Sequence, residues 1–177
     1  MLLEGHDLER QTIFDLLSIK EVLLELKNRI IQSPAGPLVK ILAQIARIDV
    51  LDTSIKEIAT EAIQPSVRAK AFRCIFEGRN TWITGRKWVW TDKRYGEGRL
   101  EPIIGERKLV TEWPLFENIQ IASQDRSSIV RRVAGEFLIR NRKSLGMDGL
   151  TLAKKLAMDS SIAVAEQGRF VLDRAET

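Results

Sequence analysis

The chain has 177 residues, of which 44% are hydrophobic and 29% are charged, a composition typical of one folded domain and not of a disordered segment. Its 28 Lys/Arg and 24 Asp/Glu give a formal net charge of +4, and no apolar run is long enough to span a membrane. The N-terminal residues lack a basic segment followed by an apolar stretch, so we predict a cytoplasmic protein without a secretion signal. One cysteine and one histidine exclude an intramolecular disulfide and a Cys/His zinc site, and we predict neither a metal nor a cofactor.

Apolar residues recur with helical spacing in the N-terminal part of the chain, over residues 7–32 and 38–49. Two segments there have the form of a capping box, Ser18-Ile19-Lys20-Glu21 and Ser54-Ile55-Lys56-Glu57. In a capping box the serine oxygen accepts a backbone N–H and the glutamate reaches back to the cap. We therefore predict that a helix begins at each of these serines.

A short helical pattern then recurs along the chain. Each copy places an apolar, a small and an apolar residue four positions apart, which makes one stripe along a helix. A segment that ends in a tight turn precedes each copy, so each unit is predicted to be helix, turn, helix. The copies are Val67-Arg68-x-x-Ala71-x-x-x-Ile75, Val130-Arg131-x-x-Ala134-x-x-x-Leu138 and Val164-x-x-x-Gly168-x-x-x-Leu172. Repetition of such a unit indicates an α-solenoid.

The Val-Arg-x-x-Ala pattern in residues 65–71 and 128–134 resembles HEAT-like repeats. The third copy departs from the pattern, with Ala165 in place of the arginine and Gly168 in place of the alanine. The resemblance implies an all-α, HEAT-like helical-repeat solenoid that forms a single domain over residues 1–177.

The resemblance also implies a structural role for two arginines of the pattern. Arg68 and Arg131 are expected to pair with acidic groups in adjacent turns, such as Asp125 or Asp159. We therefore do not include them among the candidate ligands.

The helical periodicity stops between residues 78 and 112, which we predict to be an insertion between repeats. Residues 88–91 are strand-prone types, and Tyr95 begins a run of turn residues, so the insertion has the composition of a short β-hairpin. In a strand, Trp88 and Trp90 would face one side and Val89 the other.

Aromatic and cationic residues are mixed in the insertion, and this mixture is the main candidate binding site. Three interpretations remain open: packing of the rings onto the helices, a hot spot for a protein partner, and base stacking with phosphate neutralisation in a nucleic acid. The candidate residues are Trp82, Arg86, Lys87, Trp88, Trp90, Lys93, Arg94 and Tyr95.

A second basic group lies in the C-terminal half of the chain. Arg132, Arg140 and Lys143 are spaced by eight and three positions, close to a common helix face. A phosphate backbone or an acidic protein segment could lie along such a face.

We found no arrangement of nucleophile, base and orienting group, and so predict no catalytic residues and no enzyme.

The leading hypothesis is a non-enzymatic scaffold that recognises a protein partner through the solenoid surface, with the insertion as an added contact. The alternative is a nucleic-acid-binding module that uses the basic half and the tryptophans. A third hypothesis, a nucleic-acid-modifying enzyme, comes only from the resemblance, since some HEAT-like proteins remove damaged bases. The last predicted repeat lacks a polar capping element, so we expect either that the chain is one piece of a longer solenoid, or that this end is buried against another subunit in a homo-oligomer or a larger assembly.

Overall fold

The computed structural model describes residues 12, 15–16, 18–33, 49–144 and 146–174. Over these residues it contains seven α-helices, two 3₁₀ turns and one two-stranded antiparallel sheet. The 3₁₀ turns are Asp52–Ser54 and Arg142–Ser144. The larger elements are α1 (Lys20–Gln32), α2 (Ile55–Glu61), α3 (Pro65–Glu77), β1 (Arg79–Asp92), β2 (Glu97–Lys108), α4 (Leu115–Ser123), α5 (Ser128–Arg140), α6 (Met147–Ala157) and α7 (Ile162–Asp173).

Six of the helices form three stacked pairs, α2 with α3, α4 with α5, and α6 with α7. The second helices of the pairs make one layer, in which α3 contacts α5 and α5 contacts α7. The core lies between the helices of each pair and between neighbouring pairs. The valines that begin the recurring pattern, Val67, Val130 and Val164, are fully buried in it.

The prediction of an all-α fold is wrong, because residues 78–112 contain a β-hairpin that makes the fold a mixture of helices and sheet. Its strands have 14 and 12 residues and pair from Arg79 opposite Lys108 to Asp92 opposite Glu97. The alternating and β-branched residues of this segment favour a pleated ribbon over a helix. Outside it, helical periodicity dominates the pattern of the sequence.

The two predicted capping boxes are also absent. Neither α1 nor α2 has a side-chain hydrogen bond at its N-cap, and the Ser18 hydroxyl instead donates to the Asp15 carbonyl at 2.5 Å. The helix predicted over 38–49 lies almost entirely outside the described residues. None of the helices that are described is long and apolar enough to cross a membrane.

Buried ion pairs connect each helical pair to the next. Arg68 of α3 donates from Nε and Nη2 to the two carboxylate oxygens of Asp125, both at 2.8 Å. Arg131 of α5 makes the same two-pronged contact with Asp159, at 2.6 and 2.8 Å. The pairing expected from the resemblance is therefore confirmed at both positions.

The environment of the two pairs is equivalent. In each arginine, Nη1 donates to the carbonyl six residues earlier, that of Ala62 for Arg68 and of Asp125 for Arg131. Each aspartate also accepts the backbone N–H two residues later, at 2.7 Å. These contacts supply hydrogen-bond partners to the arginine guanidinium and the aspartate carboxylate of each pair. Both groups lie where the turn of one helical pair meets the second helix of the previous pair.

At each end of the row of three helical pairs, an alanine stands where the repeated arginine–aspartate contact would need a charged residue. Ala62 occupies the position of Asp125 and Asp159 in the first turn, and Ala165 occupies the position of the arginine in α7. In α7, Gly168 allows unusually close packing, because a Cβ there would lie 2.3 Å from the backbone nitrogen of Ala157 in α6. Within the last pair, α6 and α7 are thus in close backbone contact. The pair is connected to the previous one through the contact of Asp159 with Arg131.

The first prediction concerns the buried pair of Arg68, whose side chain is 2% exposed. Arg68→Met should lower the free energy of unfolding by about 3–5 kcal/mol, because the Asp125 carboxylate stays buried without its partner. Arg73 in the same helix pairs with Glu136 at the surface, so Arg73→Met should change stability by only about 0–1 kcal/mol. Urea unfolding of both variants measures the difference. Equal losses would show that the Arg68 link does not hold the pairs together.

The second prediction concerns acid stability. The hydrogen bonds from Arg131 lower the carboxyl pKa of Asp159, with a further contribution from the Ser161 N–H. A lowered pKa stabilises the folded state above the ordinary carboxyl pKa of about 4, and this stability is lost as the pH falls through the folded-state pKa. Asp159→Asn should therefore be less stable at neutral pH, and its stability should fall less steeply below about pH 4.

Urea unfolding at a series of pH values tests this expectation. Asp148→Asn is the matched control, because Asp148 is exposed on α6 and makes no ion pair among the described residues. Curves of stability against pH that stay parallel for Asp159→Asn and the unmodified chain would contradict the prediction.

Candidate docking arm

The β-hairpin, residues 79–108, is here called the arm. Its strands pair mainly with each other, and α3 is the helix that β1 contacts most. With a rise of about 3.3 Å per residue, a strand of 14 residues is roughly 45 Å long. The arm therefore extends well beyond the helix that supports it.

The base of the arm is joined to the turn before α2 by a buried ion pair. Arg107 of β2 donates from Nη1 and Nη2 to the two oxygens of Asp52, at 2.7 and 2.9 Å. The Val110 N–H donates to the same carboxylate at 2.8 Å, and Asp52 is 3% exposed. The bond to Asp52 is the main cause of the raised pKa of Arg107. This contact holds the end of β2 on the helical pairs.

Contacts with α3 hold the start of β1. Lys70 Nζ donates to the carbonyl and the hydroxyl oxygen of Thr81, at 3.0 and 3.1 Å. The Cys74 thiol donates to Asn80 Oδ1 at 3.3 Å. Burial raises the pKa of this thiol to about 11, so it stays protonated at neutral pH and acts as a packing group.

Side chains alternate between the two faces of the arm, and an irregularity in β1 between Ile83 and Gly85 shifts this alternation. Thr84 is the extra residue there, and it changes which side the following residues face. Trp82 lies opposite Gly105, whereas Trp88 lies opposite Leu100. Since residues five apart on β2 face opposite sides, Trp82 is on the other face from Trp88 and Trp90.

Two tryptophan rings lie over glycines of the opposite strand. A Cβ at Gly98 would be 2.6 Å from the ring of Trp88, and one at Gly105 would be 2.8 Å from the ring of Trp82. Trp90 meets Trp88 edge to face with the ring centroids 5.6 Å apart, which confirms that the two share a side. Trp88 and Trp90 remain 50% exposed, so these rings pack within the arm and not onto the helices.

One face of the arm exposes a row of large apolar side chains, here called the apolar face. They are 50% to 57% exposed and lie at successive cross-strand positions, interrupted by Arg86 opposite Pro102. The apolar face consists of Ile83, Trp88, Trp90, Leu100 and Ile104. The tryptophans were predicted site residues, whereas the three aliphatic residues were not, although Leu100, Pro102 and Ile104 alternate with the period of a strand.

The arm also carries the excess positive charge of the chain. It contains eight Lys/Arg and four Asp/Glu, a net charge of +4 that equals the formal net charge of all 177 residues. Tyr95, Lys93 and Arg94 form the turn at its tip, where Tyr95 is 81% exposed. Within the described part of the chain, five of the arm's cations make no ion pair: Arg86, Lys87, Lys93, Arg94 and Lys108.

The second basic group does not lie on one helix. The helix α5 ends at Arg140, so Lys143 lies in the following 3₁₀ turn and not on the same helix face. Arg140 pairs with Glu77 at 3.0 Å, and Arg132 is exposed on α5. The prediction that Arg132, Arg140 and Lys143 lie on a common helix face is therefore wrong, because α5 ends before Lys143.

The helical pairs contribute one further concave surface, an open groove of about 370 Å³ between α4, α5 and the start of α6. Leu115, Phe116 and Phe137 line it, with Asp148 at its rim. In the described ranges, no cluster of three or more His, Cys, Asp or Glu side chains has a geometry that could hold a metal ion.

No protein-family model, curated protein or solved structure matches this chain. Its function is therefore inferred from the geometry, exposure and charge of the arm.

Proposed function

We propose that this chain is a non-enzymatic binding module of the cytoplasm that recognises a protein partner through the apolar face of the arm. The observation that carries the proposal is the row of five half-exposed apolar side chains on one side of the arm. Contiguous apolar surface of this kind is uncommon on a monomer unless it contacts another molecule.

The composition of the apolar face favours a protein over a nucleic acid. Ile83, Leu100 and Ile104 have no aromatic ring to stack on a base, but they would fill pockets on a protein surface. Trp88 and Trp90 supply the type of anchor that dominates binding energy in protein interfaces. Arg86, in the middle of the row, adds a cation that an acidic partner group can neutralise.

The rest of the fold would serve as the support. In this proposal the three helical pairs are HEAT-like repeats that carry the arm and keep its base rigid. The pair of Arg107 with Asp52 and the contacts of Lys70 limit motion at the base, which lowers the entropy lost on binding.

Site-specific photo-crosslinking tests the proposal. A photoreactive amino acid at position 100 should crosslink to protein in a nuclease-treated extract, whereas the same group at exposed position 154 on α6 should not. Trp88→Ser should abolish the adduct at position 100, because it removes one of the two aromatic anchors. The control Val110→Ser alters a residue that is 70% exposed outside the arm and should leave the adduct unchanged. Equal adducts from positions 100 and 154 would contradict the proposal.

A single-stranded nucleic acid is the second candidate, because the arm has a net charge of +4 and two of its cations, Arg86 and Lys87, directly precede the half-exposed Trp88 and make no ion pair among the described residues. Binding would then weaken steeply with salt as counterions are released. Replacing Arg86 and Lys87 with alanine should lower the slope of log affinity against log salt by about 1.4, at about 0.7 for each phosphate contact.

Tryptophan fluorescence, titrated with a single-stranded oligonucleotide at several salt concentrations, measures this slope. The control replaces Lys154 and Lys155, two exposed lysines of α6. Affinity that is absent, or that does not change with salt, would exclude the nucleic-acid candidate.

A further inference from the structure

The two outer edges of the arm differ in their capacity to pair with a further strand. In the described part of the chain the sheet has two strands, so each strand has one side without a neighbouring strand there. The N–H and C=O groups along such an edge can bond to an added strand. Pro102 lies within β2 and has no N–H, so it interrupts the outer edge of that strand. No proline interrupts β1.

The position of Pro102 also shows which backbone groups of β1 face outward. In an antiparallel ladder, pairs that exchange two N–H···O bonds alternate with pairs that exchange none. Because Pro102 has no N–H to exchange, its pair with Arg86 is of the second kind. The pairs two and four positions further along β1, at Trp88 and Trp90, are then also of this kind. The N–H and C=O groups of Arg86, Trp88 and Trp90 therefore point away from β2.

A contact at the base of the arm agrees with this pattern. Thr81 lies opposite Glu106, four residues from Pro102 on β2, and so belongs to the same kind of pair. Its C=O should face outward, and it accepts a hydrogen bond from Lys70 Nζ of α3 at 3.0 Å. Further out, no backbone hydrogen bond joins residues 83–91 to a described residue outside the arm. The edge of β1 is thus covered by α3 at the base and open beyond it.

The net charge of the arm is concentrated on the strand whose edge is open. Residues 79–96, which comprise β1 and the turn, contain five Lys/Arg and one Asp, a net charge of +4. Residues 97–108 contain three Lys/Arg and three Glu, a net charge of zero. Arg86 lies on the apolar face and Lys87 on the opposite face, and neither makes an ion pair among the described residues. An added strand would therefore meet a cation on each face.

We infer that the partner of the arm is an acidic protein segment in extended conformation, which pairs with residues 86–90 of β1 as a third strand. This inference rests on the proposed function and states the chemistry of its partner. The segment carries carboxylates opposite Arg86 and Lys87. It carries apolar side chains opposite Trp88 and Trp90, and so extends the apolar face. In the antiparallel orientation, which is the more stable, its sequence is apolar, any residue, apolar, acidic, acidic.

Titration of the tryptophan fluorescence with synthetic peptides, up to about 1 mM, tests the pairing. The probe contains the block Ile-Thr-Ile-Glu-Glu between flanking serines, and it should bind saturably. N-methylation of the third and fifth amides of the block, which face β1, should raise the dissociation constant at least ~10-fold, because two hydrogen bonds are lost. The matched control carries N-methyl groups on the second and fourth amides, which face away. Equal affinities of the two methylated peptides, or no saturable binding of the probe, would overturn the inference.

Charge reversal tests the placement of the segment on β1. Arg86→Glu should raise the dissociation constant of the probe at least ~10-fold, and a lysine at the fifth position of the block should restore binding to this variant. The matched control Arg99→Glu makes the same change of charge on β2, at a side chain that is 71% exposed. It should change the dissociation constant by less than ~2-fold. Equal effects of the two variants would overturn the placement.

Hydrogen exchange measured by NMR reports on the open edge itself. In the chain alone, the amides of Arg86, Trp88 and Trp90 should exchange faster than those of Lys87 and Val89, which bond to β2. A saturating concentration of the probe should slow exchange of the first three. Fast exchange of these three amides in the presence of bound probe would overturn strand pairing.

Crosslinking separates this inference from the proposed function. An excess of the probe should suppress the adduct that a photoreactive group at position 100 forms with protein in a nuclease-treated extract. The peptide methylated at the third and fifth amides should not suppress it. A protein adduct that persists with excess probe would leave the proposed function intact and overturn the acidic segment as the partner. Loss of both the adduct and the binding of the probe would overturn both.

Discussion

The structure depends on one repeated interaction. An arginine in the second helix of one helical pair makes a two-pronged contact with an aspartate in the turn of the next pair. Arg68 with Asp125, and Arg131 with Asp159, fix how the three helical pairs stack. A buried guanidinium or carboxylate without its partner is strongly unfavourable, so each link permits one arrangement of neighbouring pairs. Apolar packing alone would tolerate small sliding motions that this geometry excludes.

The base of the arm is held by the same kind of arginine–aspartate contact. Arg107 and Asp52 form a third two-pronged contact, which joins the end of β2 to the turn before α2. A hairpin by itself is only marginally stable in water. The ion pair at its base, and the tryptophan rings that cover Gly98 and Gly105, stabilise an arm that has few contacts with the helices. A rigid support thus carries an exposed apolar face, which is the combination that a docking element requires.

The distribution of charge connects these features to function. The arm holds a net charge equal to that of the whole chain. In the proposed function, the cations of the arm attract and orient an acidic partner, and apolar contact then supplies most of the affinity. The same cations could attract a nucleic acid, but the aliphatic half of the apolar face would then have no partner.

The sequence by itself determined the helical pairs and their arginine links, because both depend on local periodicity and on a repeated residue pattern. It also indicated that Trp88 and Trp90 share one side, since alternation in a strand is local. Only the tertiary structure decided the length of the arm, the register that brings Ile83, Leu100 and Ile104 beside those rings, and the end of α5 at Arg140, before Lys143. These features depend on pairing between residues distant in sequence and on where a helix ends, which local patterns do not specify.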